Sequence, residues 1–370
     1  MFPSIFRPSF LLASTILAGA VTAAAASKPQ ARSGTSTINP DAFRSAIVID
    51  AATGRVLFED RADVQNPPAS VTKLMTFFVI QDKIQRGELT LQTPVVISPE
   101  AAKMGGSEAW LVHKETVSVE ELLYLLMVQS ANDAAVALAI HTTGSKEAFV
   151  ELMNAKAREL GMVHTEFHSP HGLPPGRGQD PDVSTARDIA LLGRELITKT
   201  DILRYTSTRT HQFRHANGVV NEFTNHNHLL GVVPGCDGLK TGWYAKAGYS
   251  LAATVQRGGR RIIAVILGSP ERKLRDTVTT QLIERGFAAL PPALAPIATA
   301  PVAGQGTALA APSQPPAATA QPSAAAPAPT DAAANTLKLL PADPEEPKAP
   351  AGGDTPAEPT VHVVIPGAKR

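Results

Sequence analysis

Apolar and polar residues alternate in four short runs, two near each end of the central part of the chain. The first two, RSAIVID (residues 44–50) and GRVLFED (residues 54–60), are separated by a three-residue turn. The second two, YSLAATVQR (residues 249–257) and RIIAVILG (residues 261–268), are separated by a turn that contains a glycine pair. Runs of this length joined by short turns are typical of β-hairpins. The pattern therefore predicts two hairpins, one from each end of the folded region.

Between and after these hairpins, apolar residues recur at the three-to-four-residue spacing of amphipathic helices. The predicted helices are residues 119–127, 131–141, 147–160, 184–197 and 274–287. Ser184 or Thr185 can cap the fourth helix, and Gly161 ends the third. Strands from both chain ends around a helical middle predict an α/β (α+β) fold. We expect an antiparallel sheet built from both ends of the chain, flanked by helices, with a helical lobe beside it and a site in the cleft between them.

The first residues have the features of an export signal. Arg7 supplies a positive charge, residues 11–21 form an apolar run, and small residues end in an Ala-x-Ala pattern at residues 24–26. The run is too short to span a membrane. We expect a signal peptide at residues 1–26, a flexible linker at residues 27–38, and an exported protein of the periplasm or cell envelope; the alternative is an uncleaved anchor.

The far end of the chain differs in composition from the middle. After Phe287 there is no aromatic residue, and more than half of the 31 prolines lie beyond Leu290. Such a segment has too few large apolar side chains to offset the entropy of ordering it. The sequence predicts a folded domain at residues 39–290 and a disordered, Pro/Ala-rich tail at residues 291–370, without a membrane anchor in the mature chain. The closing VHVVIPGAKR could form a short docking strand; the alternative is that it has no structural role.

Charge and cysteine content narrow the classes of partner. The formal net charge is +1, which indicates neither a nucleic-acid partner nor an acidic one. Cys236 is the single cysteine, so no intramolecular disulfide can form even in an oxidising compartment. The fold must be held by its core.

A serine and a lysine lie three residues apart in PPASVTKLMT. Pro67 and Pro68 precede an apolar, helix-compatible run, which places Ser70 at a helix start and Lys73 about one turn further on the same face. A lysine can act as a base beside a serine hydroxyl only if burial or a neighbouring cation lowers its pKa. The Ser-x-x-Lys pattern is common by chance, so alone it also fits an ordinary polar face of a helix.

Two further motifs come later in the chain. Ser130-Ala131-Asn132 falls between two predicted helices, where Ser130 either acts on a substrate or simply caps the second helix. Lys240-Thr241-Gly242 precedes a predicted strand, where a lysine and a hydroxyl can hold a carboxylate and a glycine permits close approach of another backbone. The alternative is a solvated, glycine-rich turn. The Walker phosphate-binding pattern is absent, because Leu239 and not glycine precedes the lysine.

Ser-x-x-Lys, a Ser-x-Asn triplet and Lys-Thr-Gly, in this order, are the motifs of class A β-lactamases and penicillin-binding proteins. Residues from about 42 to 290 resemble a serine-type D-alanyl-D-alanine carboxypeptidase of the low-molecular-mass penicillin-binding protein family. The peptides MGGSEAWL, FHSPHGL, STARDIA and DGLKTGWYAKAGYSLAAT strengthen the likeness. The resemblance implies a β-lactamase/penicillin-binding-protein transpeptidase-like fold and a serine peptidase that removes the terminal D-alanine from peptidoglycan stem pentapeptides.

The resemblance also implies roles for the reacting groups. Ser70 would attack the carbonyl of the penultimate D-alanine and form an acyl-enzyme, and Lys73 would take its proton. Ser130 would pass a proton to the leaving D-alanine. Asn132 would position Lys73 and the amide side of the substrate.

The remaining roles concern the carboxylate and the oxyanion. Lys240 and Thr241 would bind the terminal carboxylate, and the charge of Lys240 would help keep Lys73 neutral. The backbone N–H groups of Ser70 and of Trp243, the residue after Gly242, would form the oxyanion hole. β-Lactam antibiotics would acylate Ser70 as covalent inhibitors.

The chain departs from the family pattern in three respects. The second triplet is Ser-Ala-Asn where Ser-Gly-Asn is commoner, Trp243 stands where relatives often have histidine, and the β-rich second domain of larger members is replaced by the tail. The shorter form also resembles D-alanyl-D-alanine endopeptidases, which cut cross-links with the same motifs. A non-catalytic β-lactam- or peptidoglycan-binding module is a further alternative. A β-lactamase is disfavoured, since its triplet is Ser-Asp-Asn and no glutamate stands in a recognisable deacylation loop.

Histidines form two clusters that could indicate zinc. His164, His168 and His171 are spaced four and three apart, and His226 and His228 form His-x-His. No carboxylate or cysteine stands near them at ligand spacing. We therefore predict no metal and no cofactor.

Overall fold

The two predicted hairpins pair with each other in one sheet. The computed structural model describes residues 39–291 and Val363–Val364; the predicted signal peptide, the linker and the rest of the tail lie outside the described residues. The sheet has five antiparallel strands, with the bounds β1 Ser45–Asp50, β2 Val56–Asp60, β7 Cys236–Tyr244, β8 Gly248–Arg257 and β9 Arg260–Ser269. Their order across the sheet is β2-β1-β9-β8-β7. The sheet built from both ends of the chain is thus confirmed.

Strand β9 joins the two ends of the chain at the centre of this sheet. Val265 pairs with Ile47 of β1 on one side and with Ala252 of β8 on the other. All three side chains are fully buried. β7 pairs only with β8, so it forms one edge of the sheet. Its free edge is available to the helical lobe and to a ligand.

Helices cover both faces of the sheet. α5 spans Ala186–Lys199 and α7 spans Arg272–Ala289. Gly286 of α7 lies against Ile262, whereas Gly193 of α5 lies against Ile263. Because consecutive strand residues point to opposite faces, the two helices cover opposite faces of the sheet. Of the two residues predicted to cap α5, Thr185 does so, accepting a hydrogen bond from the backbone N–H of Asp188 at 3.0 Å.

The helical lobe surrounds α1, which spans Lys73–Gln85. Its first nine residues are all buried, so this helix is enclosed on every side. Such a helix is stable only as the centre of a core. The other helices of the lobe are α2 Val119–Tyr124, α3 Asn132–Thr143, α4 Lys146–Leu160 and α6 Ile202–Thr206, and of these α3 and α4 pack along α1. The helices predicted at residues 119–127, 131–141 and 147–160 are thus present within a few residues of the predicted bounds.

Two small sheets have no counterpart in the predicted elements. One pairs β3 (Pro94–Val96) with β4 (Thr116–Ser118), and the other pairs β5 (Thr210–Arg214) with β6 (Val220–Thr224). Val363–Val364 forms β10 on the free edge of β6, and these two residues belong to the closing VHVVIPGAKR. Strands β3 and β4 are too short, and strands β5 and β6 too polar, for the sequence pattern to predict them. Within the described part of the chain, no helix combines the length and apolar character needed to cross a membrane.

Candidate active site

Ser70 lies in a tight 3₁₀ turn, Ala69–Thr72, that leads directly into α1. Ala69 has a φ of 50°, which is unfavourable for a residue with a side chain, and Gly172 packs against its carbonyl. A Cβ on Gly172 would come within 2.0 Å of that carbonyl oxygen, so only glycine fits there. The strained turn is therefore held from outside by the loop around Gly172, and Ser70 remains half-buried at its surface.

Lys73 is fully buried, and three groups surround its amine. Nζ lies 2.9 Å from Ser70 Oγ, 2.7 Å from Asn132 Oδ1 and 2.7 Å from the carbonyl oxygen of His171. Two of these groups can only accept hydrogen bonds. A neutral amine would donate its two N–H groups to Asn132 and His171, and its lone pair would then face the hydroxyl of Ser70. The geometry is that of a base and its nucleophile.

Electrostatics favour this neutral form. Burial lowers the pKa of Lys73 well below the ordinary value for lysine, and the nearby charge of Lys240 lowers it further. Asp182 and Asp133 act in the opposite direction on the same pKa. Burial is the larger effect, so Lys73 can carry a lone pair at a pH where an exposed lysine is charged.

Ser130 occupies a strained turn between α2 and α3. After α2 the chain continues as a π-helical segment, Leu125–Gln129, and Ser130 comes next with a left-handed φ of 63°. Its Oγ is buried and has no hydrogen-bond partner among the described residues. The capping alternative is wrong, because Ala131 and not Ser130 is the N-cap residue of α3. A buried hydroxyl without a hydrogen-bond partner in the protein can bond to a ligand group or to a water molecule.

Asn132 joins this turn to Lys73 and to the preceding loop. While its Oδ1 faces Lys73, its Nδ2 donates to the carbonyl of Gly105 at 2.8 Å. Its backbone N–H donates to the carbonyl of Ser107 at 2.8 Å. The orientation of the amide is thereby fixed, with its oxygen toward the base.

The Lys-Thr-Gly motif lies on the edge strand β7, beside the nucleophile. A Cβ on Gly242 would come within 2.5 Å of the carbonyl oxygen of Pro68 and 3.0 Å of the backbone nitrogen of Ser70. Glycine is therefore required where the strand passes the nucleophile turn. Thr241 is buried, whereas Trp243 is exposed and stacks on Tyr249 with 5.4 Å between ring centroids.

Lys240 is also buried, and its Nζ donates to the carbonyl of Thr241 at 3.1 Å. Burial and the charge of Arg275 lower the pKa of Lys240 to about 7. Arg275 is itself buried and bonded to Asp276, at the start of α7. Two cations thus approach each other at this end of the cleft, which favours the binding of an anion.

All the residues predicted for the site belong to this one region, but sequence reasoning missed the groups that hold it. Asp182 accepts hydrogen bonds from Thr72 Oγ1, from the backbone N–H groups of His168 and Ser169, and from Ser169 Oγ, at 2.7–3.0 Å. This carboxylate ties the FHSPHGL loop to the nucleophile turn. In the sequence, the loop stands out only as a peptide typical of the family; its supporting role depends on contacts that join residues more than 100 positions apart.

His171, His226 and Cys236 are each in an environment that favours the uncharged side chain. The Nδ1 of His171 accepts the N–H of Leu173 at 3.1 Å, and burial lowers the pKa of His171 to about 3. His226 lies near Lys240 and Arg275, and its pKa is likewise lowered to about 3, mainly by burial. Burial raises the pKa of the Cys236 thiol to about 11, so the thiol is not activated as a nucleophile.

Comparison with known proteins agrees with the geometry. A sequence model of the family described as D-alanyl-D-alanine carboxypeptidase matches residues 33–271. The chain is similar to the D-alanyl-D-alanine carboxypeptidases DacF of Bacillus subtilis (36% identity, 66% of this chain and 62% of the relative) and DacC of Escherichia coli (37%, 66% and 61%). It thus spans about three fifths of the length of these relatives. It is also similar to a D-alanyl-D-alanine endopeptidase of Pseudomonas aeruginosa (34%, 69% and 81%).

Among solved structures, the fold is similar to penicillin-binding protein D2 of Listeria monocytogenes in its ampicillin-bound form. The TM-score is 0.59 at 32% identity, over 66% of this chain and 97% of that one. The predicted penicillin-binding-protein fold is thus confirmed. Since the family match covers most of the chain, and Ser70, the buried Lys73 and the Lys-Thr-Gly strand lie together in the cleft, the chain belongs to the D-alanyl-D-alanine carboxypeptidase family.

Proposed function

We propose that this chain is a serine-type D-Ala-D-Ala carboxypeptidase that removes the terminal D-alanine from peptidoglycan stem pentapeptides. The observation that carries the proposal is the setting of Lys73, whose amine lies 2.9 Å from Ser70 Oγ and beside two groups that can only accept hydrogen bonds. An ordinary helix face would not bury a lysine completely and lower its pKa. No metal or cofactor is required by this chemistry.

In the acylation step, Ser70 Oγ attacks the carbonyl carbon of the penultimate D-alanine while its proton moves to Lys73. General base catalysis of this kind contributes about 10²- to 10⁴-fold to a rate. The developing oxyanion is assigned to the backbone N–H groups of Ser70 and Trp243. The close passage of Gly242 beside the Ser70 nitrogen supports this assignment, because it brings the strand next to the nucleophile turn.

Collapse of the tetrahedral intermediate breaks the C–N bond to the terminal D-alanine. The leaving amine needs a proton, and the buried, unpartnered hydroxyl of Ser130 is assigned to deliver it, with replacement from Lys73. Free D-alanine departs and the shortened peptide remains as an ester of Ser70. Water then hydrolyses the ester, adding its hydroxyl to the acyl carbon and returning the proton to Ser70.

The free carboxylate of the terminal D-alanine is assigned to Lys240 and Thr241. The charge of Arg275, which acts on Lys240, supports this end of the cleft as the anion site. Asn132 is assigned to the amide on the acyl side of the scissile bond. A substrate would thus lie along β7 with its anionic end toward Lys240.

A D-alanyl-D-alanine endopeptidase is the second candidate. The similarity to the Pseudomonas aeruginosa endopeptidase, of which 81% is covered, favours it. Both activities use the same acylation chemistry and differ in the group on the leaving side of the scissile bond. Incubation of purified protein with intact muropeptides, followed by mass analysis, separates them: loss of one alanine from pentapeptides supports the carboxypeptidase, and conversion of dimers to monomers supports the endopeptidase.

A non-catalytic module that binds peptidoglycan or β-lactams is excluded by the same experiment if wild type releases product and Ser70→Ala does not. Labelled penicillin should attach to wild-type protein at Ser70 and not to the variant. If folded wild-type protein releases no product yet is labelled, the binding module is the better description.

Export to the periplasm or cell envelope belongs to the same proposal, because the substrate lies there. Its support is the signal-like segment at residues 1–26. Cell fractionation with the full-length gene product should find a protein shortened at its N-terminus outside the cytoplasm. Full-length protein retained in the cytoplasm would contradict this part.

A further inference from the structure

Trp110 has a backbone conformation that tryptophan rarely adopts. Its φ is 57°, in the left-handed region that normally belongs to glycine. A large side chain there is strained, and such strain persists only when the surrounding structure imposes it. Strained residues of this kind are concentrated at ligand-binding sites, which makes the surroundings of Trp110 informative.

One buried carboxylate holds both neighbours of Trp110. The N–H of Ala109 lies 3.0–3.1 Å from the two carboxylate oxygens of Asp133, and the N–H of Leu111 lies 3.1 Å from Oδ2. Asp133 is 1% exposed and comes directly after Asn132 in sequence. The position of Trp110 is therefore set by the same turn that positions Asn132 in the active site.

The ring of Trp110 has one covered face. It stacks on Phe223 of β6, with 5.8 Å between ring centroids and an interplanar angle of 27°. Phe223 is 1% exposed, but Trp110 retains 39% exposure. The stack thus fixes the ring while the rest of it faces solvent. Three features hold the exposed ring beside the active-site turn. They are the left-handed backbone of Trp110, the hydrogen bonds from its two neighbours to Asp133, and the stack on Phe223.

We propose that the exposed face of Trp110 contacts the stem peptide of the substrate on the acyl side of the scissile bond, and so determines the preference for long over short acyl donors. The inference rests on the proposed function, in which Asn132 binds the amide on that side. Leu111, which follows Trp110, is bonded to Asp133, the residue after Asn132, and the carbonyl of Gly105 in the preceding loop is bonded to Asn132 itself. A substrate continuing past Asn132 therefore meets this loop first.

The first test uses Trp110→Gly, which relieves the left-handed strain and removes the ring. Kinetics are compared for a disaccharide pentapeptide and for N-acetyl-D-Ala-D-Ala. We expect KM for the pentapeptide to rise about fivefold to tenfold, as for loss of an aromatic contact, with kcat/KM for the short compound within about twofold of wild type. Trp110→Phe, which keeps an aromatic ring, should retain most of the wild-type preference for the pentapeptide. Val163→Ala, which shortens another exposed apolar side chain, should change neither KM for the pentapeptide nor kcat/KM for the short compound.

Equal losses on both substrates would overturn the inference, since they would show that Trp110 only supports the turn. So would an unchanged KM for the pentapeptide in Trp110→Gly. If wild type processes neither substrate, the proposed function fails, and the inference is then judged by binding alone.

The binding test exploits the presence of only two tryptophans, Trp110 and Trp243. In the double variant Ser70→Ala/Trp243→Phe, Trp110 is the single fluorophore and no acyl-enzyme can form. Saturating disaccharide pentapeptide should change its emission, and N-acetyl-D-Ala-D-Ala should not. An emission that responds to neither compound, although calorimetry shows the pentapeptide bound, would overturn the contact.

Discussion

Two fully buried lysines lie in the same cleft, and their surroundings differ. Lys73, in the helical lobe, contacts a hydroxyl, an amide oxygen and a backbone carbonyl, with Asp182 and Asp133 in its electrostatic neighbourhood. Lys240, on the sheet edge, bonds only to the neighbouring carbonyl among the described residues, and Arg275 is the charge that acts on it. Burial lowers both pKa values, so burial alone does not make a lysine a base.

The difference lies in the groups that each amine faces. Lys73 has its acceptors arranged so that a neutral amine directs a lone pair at Ser70. Lys240 is subject to repulsion from the charge of Arg275, and an incoming anion would offset this repulsion. One lysine is thus suited to receive a proton and the other to hold a negative charge. Substituting arginine at each position tests the distinction, since arginine keeps its charge at any ordinary pH.

The largest effect is expected for Lys73→Arg. A guanidinium cannot give up its proton, so the substitution replaces a neutral amine that can accept a proton with a permanent cation. We expect acylation of Ser70 by a labelled penicillin to slow by about 10³-fold or more, within the range of general base catalysis. Stopped-flow or gel-based labelling measures this rate, with thermal unfolding as the control for folding. A variant that retains a tenth of the wild-type rate would show that Lys73 is not the base.

A smaller effect with a distinct pH dependence is expected for Lys240→Arg. In the free wild-type enzyme, Lys240 loses its charge as the pH rises through its pKa of about 7, so kcat/KM should fall above that pH. Bound carboxylate favours the charged form, so kcat should fall less. Arginine remains charged, and the variant should lose the decline on the alkaline side at a cost of about tenfold or less at neutral pH. If kcat/KM of the variant falls at alkaline pH as it does in wild type, the decline belongs to another group and not to Lys240.

The smallest effect is expected for Asp182→Asn, which removes a negative charge near Lys73. That charge raises the pKa of Lys73, so its removal lowers this pKa further. Activity requires neutral Lys73, and the acidic side of the pH profile should therefore move to lower pH. The profile of kcat/KM measures the shift, and Thr72→Val, which removes one hydrogen bond to Asp182 but no charge, is the matched control. A shift to higher pH would contradict this electrostatic account.

Local sequence patterns predicted the large elements because those elements carry strong signals. The runs at residues 44–50 and 261–268 are long and apolar, and they form strands β1 and β9. The three motifs were found for a similar reason: each combines reactive groups at short spacing in a fitting local context. By contrast, β5, with the sequence THQFR, is mostly polar and gave no signal. It is stabilised by pairing with β6 and by contacts with the helical lobe, which a local pattern does not contain.

The sequence by itself predicted the two hairpins, the helical middle and the candidate reacting groups, because periodicity and motif spacing are local properties. Only the tertiary structure decided that Asp182 ties the loop at residues 168–172 to the turn that carries Ser70, and that Trp110 is held in a strained conformation. These contacts join segments far apart in the chain. Their strength comes from burial, which exists only once the core has formed and water has been excluded.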